Sequence, residues 1–431
     1  MNLLRHTDAG FAERLAAIGS ASSLFDPTIE QRTREVIEKV AAGGDQALTE
    51  LTERFDQVRL EPEEFAVGQA ELLRASVQAG DGIRDAVKEA DRNISAFAKK
   101  SRRKAWSTRN SHGAKVGEKF DPFQRVGLYI PGGTAPLVST ALMTVTLARV
   151  AGCPEIVVCT PPGRDGTVNP ALLFAARAAG ATEIYKVGGA QAIAAMALGT
   201  STIRAVNKVF GPGNAYVVAA KRLLFGRVSI DLLPGPSEVL ILADDSANAS
   251  YIAADVLAQA EHGTGSERVW VVTPSAKVIT AVQREIARQL PKLERRALIE
   301  PNLQKHGWLI QVKNLESGVV VANHLAPEHC EVHTRQAAKV SEGIVTAGAI
   351  FLGPWSPTVL GDYVAGPSHV LPTGGCGRSF AGLTVDQFQR RTSVAEYTRP
   401  ALKRAIKGVR AFAAMEGLDA HGASAEIRFR K

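Results

Sequence analysis

Between Asp26 and about Ala105, apolar residues return every three to four positions: Ile29, Val36, Ile37 and Val40, then Leu48, Leu51 and Phe55, then Ile83, Val87, Ala90, Ile94 and Phe97. That spacing is the one-sided stripe of amphipathic helices, so the whole stretch is predicted to be helical. After Pro122 the texture changes to short β-branched runs bounded by glycine and proline and separated by alanine-rich segments. Such alternation predicts βαβ units and a parallel sheet, with strands starting only there. A first block has candidate strands at Val126 to Ile130, Glu155 to Thr160, Glu183 to Val187, Lys208 to Phe210 and Val228 to Leu232, with helices at Ser139 to Ala151, Pro170 to Ala179 and Ala190 to Leu198. A second block has candidate strands at Val239 to Ala243, Val269 to Thr273, Trp308 to Val312, Val319 to Ala322 and Ala349 to Leu352. From Thr384 onward the chain returns to helix around Arg399 to Met415.

The fold class that follows is α/β: two Rossmann-like parallel-sheet domains with a helical N-terminal region and a small helical C-terminal tail. The expected divisions are a helical arm (1–25), a helical region packing with the second α/β unit (26–125), a first α/β domain (126–238), a second α/β domain (239–382) and a closing segment (383–431). Two successive units of similar size suggest a duplicated architecture, although no sequence repeat marks it.

Glycine-rich turns follow several strands of the first block: Pro131-Gly132-Gly133, Gly188-Gly189 and Gly211-Pro212-Gly213-Asn214. Backbone amides at such turns can hold phosphates, and crevices at the carboxyl ends of parallel strands are common ligand sites. The G-x-G-x-x-G fingerprint is missing, since Tyr216 stands where its last glycine would be. On spacing alone, dinucleotide binding and plain turn chemistry remain equally open.

With 431 residues and 45% hydrophobic content, the chain can form several sizeable cores, which excludes disordered and collagen-like classes. No apolar stretch is long enough to span a bilayer, and the opening mixes Arg5, His6, Asp8, Glu13 and Arg14 among its apolar residues. A cytoplasmic protein without a signal peptide or membrane contact is expected. The four cysteines (Cys153, Cys159, Cys330 and Cys376) lack C-x-x-C spacing, so packing is their default role. Cys330 directly follows His329, but neighbours on a strand face opposite ways, which argues against a thiol nucleophile. The net charge of +8 includes one dense basic run, Lys99 to Lys104. Lacking aromatic interleaving beyond Trp106 or a recognisable module, that run reads as a solvated helix end, and no nucleic-acid partner is expected.

The chemistry concentrates elsewhere. Gln259 and His262 are three residues apart at the end of a probable helix, Ser246 to Ala260, and so share a face on which both can reach one metal ion. In isolation the pair reads more readily as a core amide and imidazole with satisfied hydrogen bonds, since a ligand set needs three or four donors. Asp362, beside Gly361, and His421, in the closing segment, are candidate partners, and Glu328-His329 places an acid beside an imidazole. Two imidazoles, a carboxylate and an amide oxygen suit Zn²⁺, with Mn²⁺ or Co²⁺ as substitutes.

Longer motifs add a resemblance. Val126-Gly127-Leu128-Tyr129-Ile130-Pro131-Gly132-Gly133-Thr134-Ala135-Pro136-Leu137, Gly211-Pro212-Gly213-Asn214-Ala215-Tyr216, Gly235-Pro236-Ser237-Glu238-Val239, Gln259-Ala260-Glu261-His262, Pro327-Glu328-His329 and His369-Val370-Leu371-Pro372-Thr373 together resemble the histidinol dehydrogenase family over nearly the whole chain. The resemblance implies an NAD-dependent enzyme with one Zn²⁺ per subunit that oxidises L-histidinol to L-histidine through a bound aldehyde, the last step of histidine biosynthesis. It implies Gln259, His262, Asp362 and His421 as zinc ligands, which also brings them against substrate, and Glu328 and His329 as the catalytic acid-base pair. Tyr129, Gln191 and Asn214 match cofactor-contacting positions; Ser139, Ser237, His329, His369 and Glu416 match substrate-contacting ones. It further implies a homodimer with shared sites, in which the closing segment crosses over and His421 completes the neighbouring subunit's site. Leu233-Pro234 replaces the family's usual methionine-alanine pair before Gly235, and the run at 99–104 is unusual for it. A related zinc and NAD dehydrogenase for another polar alcohol, such as sulfopropanediol, is the nearest alternative, and a metal-dependent sensor without turnover is a more distant one. Thr134-Ala135-Pro136, His369 and Glu416 favour histidinol over the first, and the intact Glu328-His329 pair argues against the second.

Overall fold

The computed structural model describes residues 1–20, 25–132 and 136–430. The chain opens with β1 (Asn2–Arg5), α1 (Phe11–Ser20), α2 (Pro27–Asp56), α3 (Gln69–Gln78) and α4 (Asp81–Ser101). Next come β2 (Trp106–Arg109) and β3 (Lys115–Pro122). The first α/β unit follows: β4 (Arg125–Tyr129), α5 (Val138–Ala151), β5 (Glu155–Cys159), α6 (Pro170–Ala179), β6 (Glu183–Tyr185), α7 (Gly189–Leu198), β7 (Lys208–Phe210), α8 (Ala215–Leu224) and β8 (Ser229–Ile230). The second contains β9 (Glu238–Ala243), α9 (Ala249–Ala260), β10 (Arg268–Thr273), α10 (Ala276–Gln289), α11 (Arg296–His306), β11 (Gly307–Gln311), α12 (Leu315–Leu325), β12 (His329–His333), α13 (Ala337–Ser341), β13 (Ala349–Leu352) and α14 (Thr358–Tyr363). β14 (Gln389–Glu396), α15 (Arg399–Glu416) and α16 (Asp419–Glu426) close the chain.

Both units are parallel sheets, and their topology repeats. The first runs β6-β5-β4-β7-β8 and the second β11-β10-β9-β12-β13, so in each the first strand lies centrally and the order reverses beside it. The expected duplication of architecture is therefore present in the strand order, at a level that side-chain identity does not carry.

Four readings need correction. Asn2–Arg5 is not part of a helical arm: it adds β1 to the edge of the second sheet, parallel to β11. Strands also precede Pro122, because β3 pairs antiparallel with β14 from Gln389↔Pro122 to Glu396↔Lys115, and β2 extends that small sheet. β2 and β14 are largely exposed and polar, so no apolar alternation announces them. Val319 to Ala322 is the middle of α12, whereas the strand of that region is β12. A short apolar run does not by itself separate a buried strand from a buried helix.

Finally, the helices of 26–125 cover the first unit rather than the second. Val87, Ala90, Ile94 and Ala98 of α4 share a core with α5 and α6, and Val40, Leu48 and Leu51 of α2 share one with α7. The reason lies in the covered helices: α5 buries Thr140 through Ala148, and α7 buries Ala190 through Met196. Helices apolar all round need a second layer, which α2 and α4 supply. Val370, Leu383 and Phe388 also enter the first unit's core, so the chain returns to it before β14.

Candidate active site

The carboxyl ends of the first sheet open onto a cleft of about 1330 Å³. Tyr129 at the end of β4, Gln191 in α7 and Asn214 before α8 all line it, together with Arg32, Arg54 and Asp56. This is the place where the strand order reverses, between β4 and β7, the position at which open α/β sheets bind ligands. The Tyr129 hydroxyl accepts the Gly189 N–H at 3.0 Å, and Gln191, 1% exposed, has a buried Nε2 without a hydrogen-bond partner among the described residues. Asn214 is occupied as a helix cap, its Oδ1 accepting from the N–H groups of Tyr216 and Val217. Gly211 at φ +110° passes so close to β4 that a Cβ there would meet the Tyr129 carbonyl oxygen at 2.1 Å. Gly133, Thr134 and Ala135 of the motif after β4 lie outside the described residues.

A second site forms at the opposite, amino-terminal edge of the second sheet, where β9 and β12 begin. Glu238, the first residue of β9, orients both Glu328 and His329 through its backbone. Its N–H donates to Glu328 Oε2 at 2.8 Å, and its carbonyl accepts from His329 Nδ1 at 3.0 Å. Ser237 adds a hydroxyl donor to the same Glu328 oxygen at 2.5 Å. A carbonyl can only accept, so in the neutral ring His329 carries its proton on Nδ1 and leaves Nε2 bare. That Nε2 is buried without a hydrogen-bond partner, 3.9 Å from Asp362 Oδ1.

Burial sets the charge states. It holds the His329 imidazole below its usual 6.5, against the opposing pull of the Asp362 carboxylate, so the ring is neutral near pH 7. Burial also pushes the Glu328 carboxyl up to about 8; hydrogen bonds from Ser237 and Glu238 resist this rise, while the charge of Asp362 adds to it. The pair is thus a bare imidazole beside a carboxyl that holds its proton at neutral pH.

Asp362 is brought in by α14, and His262 and Gln259 by the end of α9. His262 Nδ1 donates to the Gln259 carbonyl at 3.0 Å, leaving its Nε2 free as a donor atom for a cation. Gln259 is 4% exposed, and its Nε2 has no partner. His369 ties the opposite side: Nδ1 donates to the Asp362 carbonyl at 2.9 Å, and Nε2 accepts from the Thr140 hydroxyl at 3.1 Å. Both of its nitrogens are occupied, so substrate contact there requires the Thr140 hydroxyl to give way. Ser139 is the half-buried neighbour of Thr140 in the first turn of α5. Gly361 lets α14 pack closely, since a Cβ there would lie 2.5 Å from Phe351 Cζ.

Gln259, His262, Asp362, Glu328, His329, Ser237 and His369 therefore share one edge of the fold. Glu416 and His421 stand apart, exposed on α15 and α16, which pack on each other. An amide oxygen, an imidazole with a bare nitrogen and a carboxylate fit a borderline divalent cation that still needs a fourth donor.

Two features escaped sequence reasoning. Glu238 was read only as part of a motif; its carboxyl is 1% exposed, takes hydrogen bonds from Arg268 and the Gly374 N–H, and is pushed by burial to about 8. Lys221 and Asp231 form a wholly buried ion pair that grips the Gly211 turn, Lys221 Nζ donating to its carbonyl at 2.9 Å and Asp231 Oδ2 accepting its N–H at 2.8 Å. The available signal was a lysine inside the apolar stripe of α8.

Residues 21–429 match the family profile described as histidinol dehydrogenase. The histidinol dehydrogenase of Heliobacterium mobile is 43% identical over 409 residues, covering 95% of this chain and 96% of that one. That of Geobacillus kaustophilus is 45% identical over 411 residues, covering 94% and 96%. Among solved structures, histidinol dehydrogenase from Elizabethkingia anophelis superposes with a TM-score of 0.94 at 32% identity, covering 100% of this chain and 98% of that one. With near-complete coverage in both directions, the chain belongs to the histidinol dehydrogenase family.

Proposed function

We propose that the protein oxidises L-histidinol to L-histidine with NAD⁺, through an aldehyde retained in the site, and that Gln259, His262 and Asp362 hold a divalent cation, Zn²⁺ by preference. The observation that carries the reading is the bare Nε2 of His329, buried and aimed at Asp362, in a ring oriented by a backbone carbonyl. When bound, the cation orients and polarises the alcohol, and NAD⁺ receives the hydride. His329 Nε2 takes the hydroxyl proton as the carbinol carbon loses hydride, releases it to solvent, and takes a second proton from the hydrated aldehyde in the second oxidation. Between the two steps the aldehyde adds water. Glu328, which burial pushes up to about 8, gives up its own proton to solvent and in its carboxylate form accepts a proton from that water.

Tyr129 and Gln191 would contact NAD⁺ in the cleft of the first sheet, with Asn214 holding the start of α8 against it. Ser139, Ser237 and His369 flank the substrate position, and Thr140 of α5 reaches His369. The fourth cation donor in this reading is His421 from a second copy of the chain, with Glu416 contacting substrate from the same segment. Phe412, Met415, Leu418 and Ile427 support that placement, because this segment leaves them 63%, 71%, 39% and 61% exposed, as expected of a surface that another copy covers. Domains are proposed along the same lines: 126–238 for NAD⁺, 239–382 for the cation and the acid-base pair, and 383–431 for the crossing segment.

The test is NADH formation with L-histidinol as the sole substrate. Two NADH per histidinol are expected, with activity abolished by a strong chelator and restored by Zn²⁺. One NADH per alcohol, or chelator-resistant turnover, would refute the reading.

A further inference from the structure

One step deeper than the acid-base pair, the same face of the second sheet carries polar groups that the mechanism does not use. In β12, His329, Glu331 and His333 pair with Val239, Ile241 and Ala243 of β9, which lie in the apolar core on one side of the sheet. Cys330 and Val332 lie in the core on the other side. Glu331 is thus a carboxylate at 0% exposure against the apolar side chains of β9, a placement that is costly unless its oxygens are fully hydrogen-bonded. They are. Oε1 accepts both the N–H and the hydroxyl of Thr358 at 2.7 and 2.6 Å, and Oε2 accepts His333 Nε2–H at 3.1 Å. Asp255 of α9 lies beside them, and one ligand atom from each of Asp255, Glu331 and His333 lies within 4.8 Å of the others.

The partners belong to the elements that carry the proposed cation donors, at matching intervals. Thr358 and Asp362 are one helical turn apart on α14, as are Asp255 and Gln259 on α9, about 6 Å each. Glu331 and His329 are two residues apart on β12, about 6.6 Å. Asp255, Glu331 and Thr358 therefore form one rung, and Gln259, His329 and Asp362 the next.

We infer that Glu331 is a positioning residue: it ties α9 and α14 to β12 so that Gln259, His329 and Asp362 arrive together at the proposed cation site. The inference rests on the cation reading above. Two carboxyls this close share a proton, and burial together with the Glu331 charge pushes Asp255 up to about 8, making Asp255 the donor of the pair. An amide at position 255 can then replace the acid, whereas a residue that had to be anionic to hold a metal could not be replaced this way. A cation held by Asp255, Glu331 and His333 themselves is the competing account of the same cluster.

The test uses Co²⁺ as probe on the full-length protein, reading affinity by titration and geometry from the visible d–d absorption, with the unfolding midpoint recorded in parallel. Loss of an outer-shell partner weakens metal binding by about 10–100-fold. Glu331→Ala and Asp255→Ala are expected to fall in that range with an altered spectrum, while Asp255→Asn stays within about threefold of the parent with an unchanged one. Thr358→Val, which keeps the backbone donor and removes only the hydroxyl, gives a smaller loss of the same sign and keeps the test decisive if Glu331→Ala does not fold. Unchanged Co²⁺ affinity and spectrum in the folded alanine variants, or a second Co²⁺ per subunit lost in Asp255→Asn, would overturn the inference. Parent protein that binds no Co²⁺ would instead overturn the cation reading beneath it.

Discussion

His329→Asn is expected to lower kcat by about 10²–10⁴-fold while leaving the bound divalent cation in place. The ring has an unprotonated Nε2 without a partner among the described residues, 3.9 Å from Asp362 Oδ1, and the Glu238 carbonyl orients it through Nδ1. Asparagine retains a polar side chain but offers no basic nitrogen. Gln259, His262 and Asp362 are untouched, so metal content should stay at the parent level. The pH dependence follows from burial, which holds the imidazole below its usual 6.5. A base with a lowered pKa stays deprotonated further into acid, so the acid limb of kcat/KM should lie below pH 6.5 in the parent and vanish in the variant. Near-normal turnover in a metal-replete His329→Asn protein would remove His329 as the base.

Lys221→Met is expected to be strongly destabilising. Lys221 and Asp231 are both 0% exposed, so removing the ammonium leaves a carboxylate uncompensated in the core. Breaking a buried pair from one side costs about 3–5 kcal/mol, whereas replacing both partners by apolar groups of similar volume is often near neutral. Denaturant unfolding is therefore expected to show a loss of that size for Lys221→Met and recovery of most of it in Lys221→Met with Asp231→Leu. The recovered stability should not bring full NAD⁺ affinity with it, because the Gly211 carbonyl and N–H lose the partners that hold the glycine turn against Tyr129. A loss below about 1 kcal/mol for Lys221→Met would mean that the turn is held by other means.

The architecture was legible wherever a single period dominates. α6 starts and stops at the expected residues, Pro170 and Ala179, because Asn169 caps it, proline opens it and Gly180 closes it in the left-handed region. Elements defined by partners distant in sequence were not. β1 is a strand only because β11 lies beside it, and β14 only because β3 does. The packing of α2 and α4 on the first unit depended on the uncovered outer faces of α5 and α7, which local periodicity does not assign to a partner.

The site divided in the same manner. Gln259 and His262 could be paired from helical spacing, and the motifs selected Glu328, His329 and Asp362. The orienting group, Glu238, works through its backbone, which side-chain chemistry does not reveal. The alternation of His329, Glu331 and His333 was visible in the letters, but only the apolar neighbours Val239 and Ile241 make it a buried polar stripe. The cleft of the first sheet lies at the carboxyl ends of its strands, whereas the proposed cation site lies at the amino-terminal edge of the second. There α9 and α14 run back against the strands and deliver their last turns, with Gln259 and Asp362, to the amino-terminal edge.

The most direct measurement is anomalous diffraction at the zinc edge from crystals of the zinc-loaded protein. One peak per subunit is expected at the start of β12, with Gln259 Oε1, His262 Nε2 and an Asp362 carboxylate oxygen each about 2.0–2.2 Å away and His421 from a second copy completing the set. A peak among Asp255, Glu331 and His333, or none at either place in an active crystal, would contradict the account.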